Sequence, residues 1–265
     1  MRVIAPWISA SMLGPARRHR ILELLAESSE VRIAALAGEL GVSIETARRD
    51  LEELERRRLL RRVHGGAVTL RPPDLPPVQT RISLDNAAKG VIAEAALEFV
   101  PPGAFVFLGA GSTTLALAGR LARLPVKATF ATNMIDIAVA LKQGPHEVHL
   151  SGGELHSRTH ALGGPEALRF IEGKLFDLAI TGAAAIDADH GVMGPTLAHA
   201  AITDILGRRA RRRMVLADFS KFGRSDRYRQ GDFSEIDILV TDRRPPDPFP
   251  ARLAAGQVRL VIASA

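Results

Sequence analysis

Between residues 105 and 262, short apolar, β-prone runs alternate with stretches of helical spacing. There are seven such runs, at 105–108, 128–132, 148–151, 178–181, 214–217, 238–241 and 260–262. Apolar runs of this length without polar alternation are buried on both faces, and strands joined through helices return in the same direction. The pattern specifies an α/β domain with a mostly parallel sheet covered on both faces, preceded by a helix over 86–99. In such a sheet every strand ends at one edge, and ligands bind in the loops beyond those carboxyl ends.

Those loops are rich in glycine, hydroxyl and amide groups. Gly109-Ala110-Gly111-Ser112-Thr113-Thr114 follows the first strand and opens a helix. Small residues let N–H groups approach an anion, hydroxyls add donors, and the helix amino terminus supplies favourable potential. No Gly-Lys-Ser/Thr follows, so this is not a Walker A loop, and it lacks a full dinucleotide fingerprint. Asn133, Gly152-Gly153, Gly182-Ala183 and the Asp218 to Gly223 segment end later strands. The expected ligand is a polyhydroxylated anion, with Lys221 as the leading positive charge beside Asp218.

Residues 17–70 have a different character. Ile21, Leu24 and Leu25 mark a first amphipathic helix, with Arg17, Arg18 and Arg20 at its start. A second helix covers 33–40, Gly41 permits a left-handed turn, and Ser43 caps a third helix whose apolar stripe is Ile44, Ala47, Leu51 and Leu54. Two short helices, a glycine turn and a third helix form a helix-turn-helix, which places the start of the third helix in the major groove. Thr46 and Arg49 share the outward face, Ser43 adjoins them, and Arg48 flanks them near the backbone phosphates. Asp50 suits an orienting role towards an arginine. Leu60 to Thr69 reads as a hairpin wing, presenting Arg61, Arg62 and His64.

The charges are distributed accordingly. Residues 1–71 hold 13 Arg and no Lys against nine acids, a net of +4, whereas the rest of the chain carries only +2. A basic module is therefore joined to a near-neutral one. The proline-rich segment 71–80 forms an extended linker between 17–70 and the α/β domain at 81–265. Residues 1–16 read as a disordered extension, or as sequence upstream of a start at Met12. Cysteine is absent, which removes disulfides and thiol chemistry and suits a cytoplasmic setting. No apolar run approaches the ~18 residues that span a bilayer, so no membrane association is expected.

Two other chemistries have candidate residues. A sugar-phosphate isomerase or deaminase needs a positioned acid or base, for which Asp187, Asp189, His190, Asp218 and Lys221 are the candidates. Four histidines, His146, His149, His156 and His160, lie within fifteen residues, and His156-x-x-x-His160 has helical ligand spacing, but Gly152-Gly153 and Gly163-Gly164 in the segment argue against a helix presenting both. The arginines at 208–213 suit a solvated helix end. No catalytic residue, metal or cofactor is expected.

Ser43-x-x-Thr46-Ala47-Arg48-Arg49-Asp50-Leu51, with Arg17, Ile21 and Leu25 upstream and His64-Gly65-Gly66-Ala67 downstream, resembles the amino-terminal signature of the DeoR family of bacterial regulators. The Gly-Ser-Thr-Thr loop, Thr132-Asn133, Gly152-Gly153, Gly163-Gly164-Pro165, Phe176-Asp177, Gly182-Ala183, Ile186-Asp187, Gly191 and Asp218-x-Ser220-Lys221-Phe222-Gly223 also resemble that family, in its order. The resemblance implies an effector domain like ribose-5-phosphate isomerase in fold that senses a phosphorylated sugar or related metabolite. It further implies a repressor of carbohydrate metabolism genes, acting on double-stranded operator DNA as a dimer or tetramer. Two positions depart from the family pattern: Gly109 stands where an aspartate is usual, and residues 197–204 replace a charged helix start.

Overall fold

A computed structural model describes residues 14–28, 30–57, 59–63, 65–69, 78–84, 86–125, 127–157 and 159–263. The chain divides into two compact units, with the boundary between Asp74 and Leu75.

The smaller unit runs α1 (Gly14–Ser28), β1 (Glu30–Arg32), α2 (Ile33–Leu40), α3 (Ile44–Arg56), β2 (Leu60–Val63) and β3 (Gly66–Thr69). Its helix α1 starts earlier than expected, within the segment read as an extension. Pro15 is compatible with that start, because a first-turn proline lacks only an N–H that would be unbonded anyway. Residues 1–13 lie outside the described residues. Ile21, Leu25, Leu36, Leu40, Leu51, Leu54, Leu60 and Ala67 make one core, so all three helices and both wing strands meet around it. Gly41 closes α2 at φ 64°, and Val42 returns its N–H to Ala37 O at 3.0 Å. Strand β1 was not legible in the sequence. It pairs antiparallel with β3 and widens the wing to three strands, ordered β1-β3-β2.

The larger unit runs α4 (Val78–Ser83), α5 (Asn86–Ala96), β4 (Phe105–Leu108), α6 (Ser112–Leu121), β5 (Thr129–Thr132), α7 (Ile135–Leu141), β6 (Glu147–Leu150), β7 (Glu154–His156), β8 (Ala161–Gly163), α8 (Pro165–Glu172), β9 (Leu178–Gly182), β10 (Ala185–Asp187), β11 (Gly191–Gly194), α9 (Leu197–Arg209), β12 (Arg213–Leu216), β13 (Tyr228–Gly231), β14 (Ile238–Thr241), α10 (Phe249–Ala255) and β15 (Arg259–Ile262). The helix expected over 86–99 tightens to a 3-10 turn at Leu97–Phe99. Helix α4 corrects the expected extended linker at its end. Residues 78–80 contain no proline, Val78 is fully buried, and the Lys89 ammonium donates to Arg81 O (2.7 Å) and to Leu84 O, satisfying carbonyls at the helix end. Residues 71–77 lie outside the described residues.

Seven strands form one sheet in the order β15-β14-β12-β9-β4-β5-β6, and every neighbouring pair is parallel. Alternate residues of each central strand face opposite layers, as a two-sided sheet requires. Val106 and Leu108 enter a core with Leu117, Phe130, Ile137, Met214 and Val240, whereas Phe107 faces Phe176, Ile202 and Leu206. Two small antiparallel sheets, β7-β8 and β10-β11-β13, sit outside this frame. Strand order reverses at β4: β5 and β6 lie to one side of it, and β9, β12, β14 and β15 to the other.

Candidate functional site

The outward surface of α3 is built from its buried one. Ala47, Leu51 and Leu54 are locked in the core, and Asp50, only 3% exposed, accepts from Arg17 Nε (2.7 Å) and Arg18 Nη1 (3.1 Å). This carboxylate fixes α3 against α1, as the sequence suggested, and it draws Arg17 inward. Ser43 caps the helix: its Oγ accepts from Thr46 N–H at 3.1 Å and lies 2.9 Å from Thr46 Oγ1. Arg48 reaches Glu45 at 2.9 Å, while Arg49 stands 3.7 Å from the same carboxylate with its side chain 77% exposed. Arg49 is more exposed than Arg17, Arg48 or Arg62.

The wing arginines part company. Arg61 is exposed, but Arg62 turns back onto α3. It donates from its main-chain N–H and its Nε to Glu55 (both 2.8 Å) and from Nη1 to Glu52 (2.6 Å). These hydrogen bonds from Arg62, the main-chain one foremost, hold the Glu55 carboxyl below its usual range. Sequence reasoning missed that Glu52 and Glu55, one helical turn apart, tie the wing to the helix. His64 lies outside the described residues.

In the larger unit the strand reversal places β4 and β9 side by side, with their carboxyl ends in register. Gly109 N–H binds Ile180 O (2.9 Å), and Ala110 N–H binds Asn133 Oδ1 (3.0 Å). Thr114 Oγ1, fully buried, donates to Gly109 O (2.7 Å) and lies 2.9 Å from Gly111 O. Asn133 continues the chain of contacts, donating from Nδ2 to Leu162 O (3.2 Å) and accepting Leu162 N–H at its own carbonyl (2.7 Å). The structure thus brings together Gly109 to Thr114, Asn133 and the β7-β8 hairpin. Gly153 makes that hairpin possible: at φ 118°, a Cβ there would lie 2.1 Å from Gly163 O. Ser151 Oγ, at the end of β6, is buried without a partner among the described residues.

Gly182 and Ala183 end β9 on the other side of the reversal. Beyond β12, Asp218 is buried and caps the turn Phe219–Lys221, accepting from Ser220 N–H (3.0 Å) and Ser220 Oγ. Lys221 Nζ lies 3.8 Å from Asp218, so the expected cation leans on a carboxylate. Asp242, not singled out in the sequence, accepts Phe219 N–H at 2.6 Å and fixes the same turn. Asp187 holds Ser225, beyond that turn. Burial raises that carboxyl, but donors from Ser225 Oγ, Asp189 N–H and the main chain and ring of His190 outweigh burial and hold it at about 2. Asp187 and His190 therefore have structural partners.

The departure at 197–204 forms the start of α9. Thr196 caps it, 2.7 Å from His199 Nδ1. Ala198 Cβ lies 3.8 Å from where a Cβ on Gly163 would be, which puts the start of α9 beside the β7-β8 hairpin. Burial, then the charges of Arg81 and His156, pushes the His199 imidazole down to about 4. Arg81 on α4 is a neighbour that no sequence signal indicated. Three of the four clustered histidines have separate partners: His146 Nε2 meets Leu121 O (2.9 Å), His149 meets Glu147 (3.0 Å) and His160 meets Asp136 (2.8 Å). No group of three metal-ligating residues occurs among the described residues, and no helix among them is long and apolar enough to cross a membrane.

The DeoR-like helix-turn-helix domain matches residues 17–72, and the DeoR C terminal sensor domain matches residues 85–243. The HTH-type transcriptional regulator GlpR of Haloferax volcanii is 36% identical over 234 residues, spanning 87% of this chain and 91% of that protein. The glycerol-3-phosphate regulon repressor of Escherichia coli is 31% identical over 231 residues, with the same two shares. Among solved structures, ribose 5 phosphate isomerase A from Neisseria gonorrhoeae aligns at 20% identity and a TM-score of 0.38, over 51% of this chain and 52% of its own.

Proposed function

The chain belongs to the DeoR family, and from that premise we propose that it represses carbohydrate metabolism genes under the control of a small phosphorylated sugar or related metabolite. As a family member it is a DNA-binding transcriptional regulator, not an enzyme. The observation that carries the proposal is the face of α3, where Arg49 projects from a helix held rigid by Asp50 and its leucines. In the proposed complex Ser43, Thr46, Arg48, Arg49 and Arg61 meet bases and phosphates, while Arg17, Arg62 and His64 act at the margins. One such module makes few base contacts, so two copies act on repeated half-sites. The phosphorylated effector lies over Gly109 to Thr114, beside Asn133, Gly152-Gly153, Gly182-Ala183 and Asp218, with Lys221 as its cation.

The test has two arms. Operator duplexes are selected from random DNA, and binding is followed by anisotropy as salt is raised. Phosphate contacts release counterions, so affinity falls steeply, and a flat dependence contradicts the DNA surface. Thermal shift with glycerol 3-phosphate, pentose phosphates and hexose phosphates then locates the effector. Lys221→Ala abolishes the shift, and an unaltered shift moves the site elsewhere.

A further inference from the structure

The seven-stranded sheet ends at β6, which pairs with β5 alone. Glu147 donates its N–H to Ala128 O (3.2 Å) and Ser151 donates to Thr132 O (2.9 Å), so residues 147, 149 and 151 turn their main-chain groups towards β5. By the alternation of a strand, Val148 and Leu150 point their N–H and C=O groups away from the sheet. None of these four groups has a partner among the described residues.

The surroundings of this edge are largely apolar, with Lys142 Nζ at its amino-terminal end, 3.5 Å from His146 O. Leu150 is 41% exposed, Val139 on the outward side of α7 is 58% exposed with Ile135 beside it, and Leu155 of the hairpin is 51% exposed. The hairpin is joined to the start of α7 through the Met134–Ala161 bridge and the bond from His160 Nδ1 to Asp136 (2.8 Å). The opposite edge differs. On β15, Arg259 lies 4.8 Å over the Phe99 ring and 3.7 Å from Glu98, and α10 presents Arg252, bound to Asp189 at 2.7 Å. Charged side chains and prolines are how native sheets keep an edge from pairing. Strand β6 carries no lysine, arginine or proline, and its Glu147 and His149 share one face.

We propose that β6 docks against the β6 of a second copy of this chain, antiparallel about a two-fold axis through Val148. In that register Val148 exchanges both main-chain bonds with its counterpart. Glu147 of each copy stands opposite the partner's His149, so the surface is complementary to itself in charge as well as in hydrogen bonding. Leu150, Ile135 and Val139 are covered at its margins. The proposal rests on the reading that two copies act together, but it does not depend on which ligand the larger unit takes.

Sedimentation velocity of the full chain without DNA, over a range of concentrations, tests it. The unaltered chain is expected to be dimeric. Leu150→Pro removes one outward N–H and leaves the Ser151 bond to β5 in place, a position where an edge strand tolerates proline. It weakens association about tenfold or more, as does Val139→Asp, with unchanged circular dichroism. Glu147→Lys also weakens association, and Glu147→Lys combined with His149→Glu recovers most of the loss. If Leu150→Pro fails to fold, Val139→Asp and the charge exchange decide. A monomeric parent chain overturns both this surface and the two-copy reading. A dimer indifferent to the variants overturns the surface alone.

Discussion

On α3, Arg48 and Arg49 extend into solvent from a helix whose opposite face is immobilised by Ala47, Asp50, Leu51 and Leu54. Around the carboxyl ends of β4 and β5 the arrangement is inverted: Thr114, Thr132 and Asn133 are buried and bound to backbone, and the loop beside them is built of small residues. On the proposed function, the difference follows from the partners. A duplex is a large convex polyanion that long, exposed cations can reach, whereas a small anion must be enclosed by donors already in place. A surface of the first kind can be altered without disturbing the fold. One of the second kind is harder to alter, because Thr114, Asn133 and Asp218 among its proposed groups are also bonded within the fold.

That contrast can be broken by mutation. The largest effect is expected at Gly153, where an alanine combines a positive φ with a clash against Gly163 O. Gly153→Ala should destabilise the larger unit by about 2–4 kcal/mol. Unaltered chemical unfolding would mean that the strand-end loops are not rigid. Asp50→Ala is the counterpart in the smaller unit. It removes the buried carboxylate shared by Arg17 and Arg18 and should cost about 2–3 kcal/mol of stability, read from the unfolding of residues 14–69 by hydrogen exchange. Arg49→Ala sharpens the comparison from the other side. It should lose ~1–3 kcal/mol of operator binding while stability changes by less than about 0.5 kcal/mol. A folding defect there would contradict an outward, uncommitted side chain.

The two units are also expected to differ in their acid dependence. The neutral form of His199 is favoured in the folded larger unit, so between pH 6.5 and about 4 the unfolded chain binds a proton that the folded one does not. Stability of the larger unit should therefore fall as pH drops through that window, and His199→Gln should flatten the fall. In the smaller unit Glu53, through hydrogen bonds from Arg56 and then Arg57, and Glu55, through Arg62, are held below 4.5. Their contribution is lost only at lower pH. Coincident acid transitions in the two units would contradict these assignments.

The seven strands of the parallel sheet were legible to within a residue or so, because a strand buried on both faces writes itself as a continuous apolar run. Helices α2 and α3 and the cap at Ser43 were legible for a similar local reason, the spacing of leucines around Gly41. Strand β13, Tyr-Arg-Gln-Gly, carries no such signal, and β1, β7 and β10 are three residues each, with little or no periodicity to read. Among the candidate site residues, the sequence indicated which loops share an edge but not which side chains were already committed. Arg62 to Glu52 and Glu55, Lys221 beside Asp218, and Arg81 near His199 are pairings set by tertiary approach, which spacing along the chain does not encode.

The central claim is that one chain couples a side-chain surface for DNA to a backbone-built site for a phosphorylated metabolite. Its most direct test is the anisotropy of a selected operator duplex, titrated with the full chain in the presence and absence of the phosphorylated compound giving the largest thermal shift. Coupling between two such sites is typically 1–3 kcal/mol, so operator affinity should change by roughly five- to 150-fold at saturation. A compound that saturates the larger unit and leaves operator affinity unchanged would contradict the account.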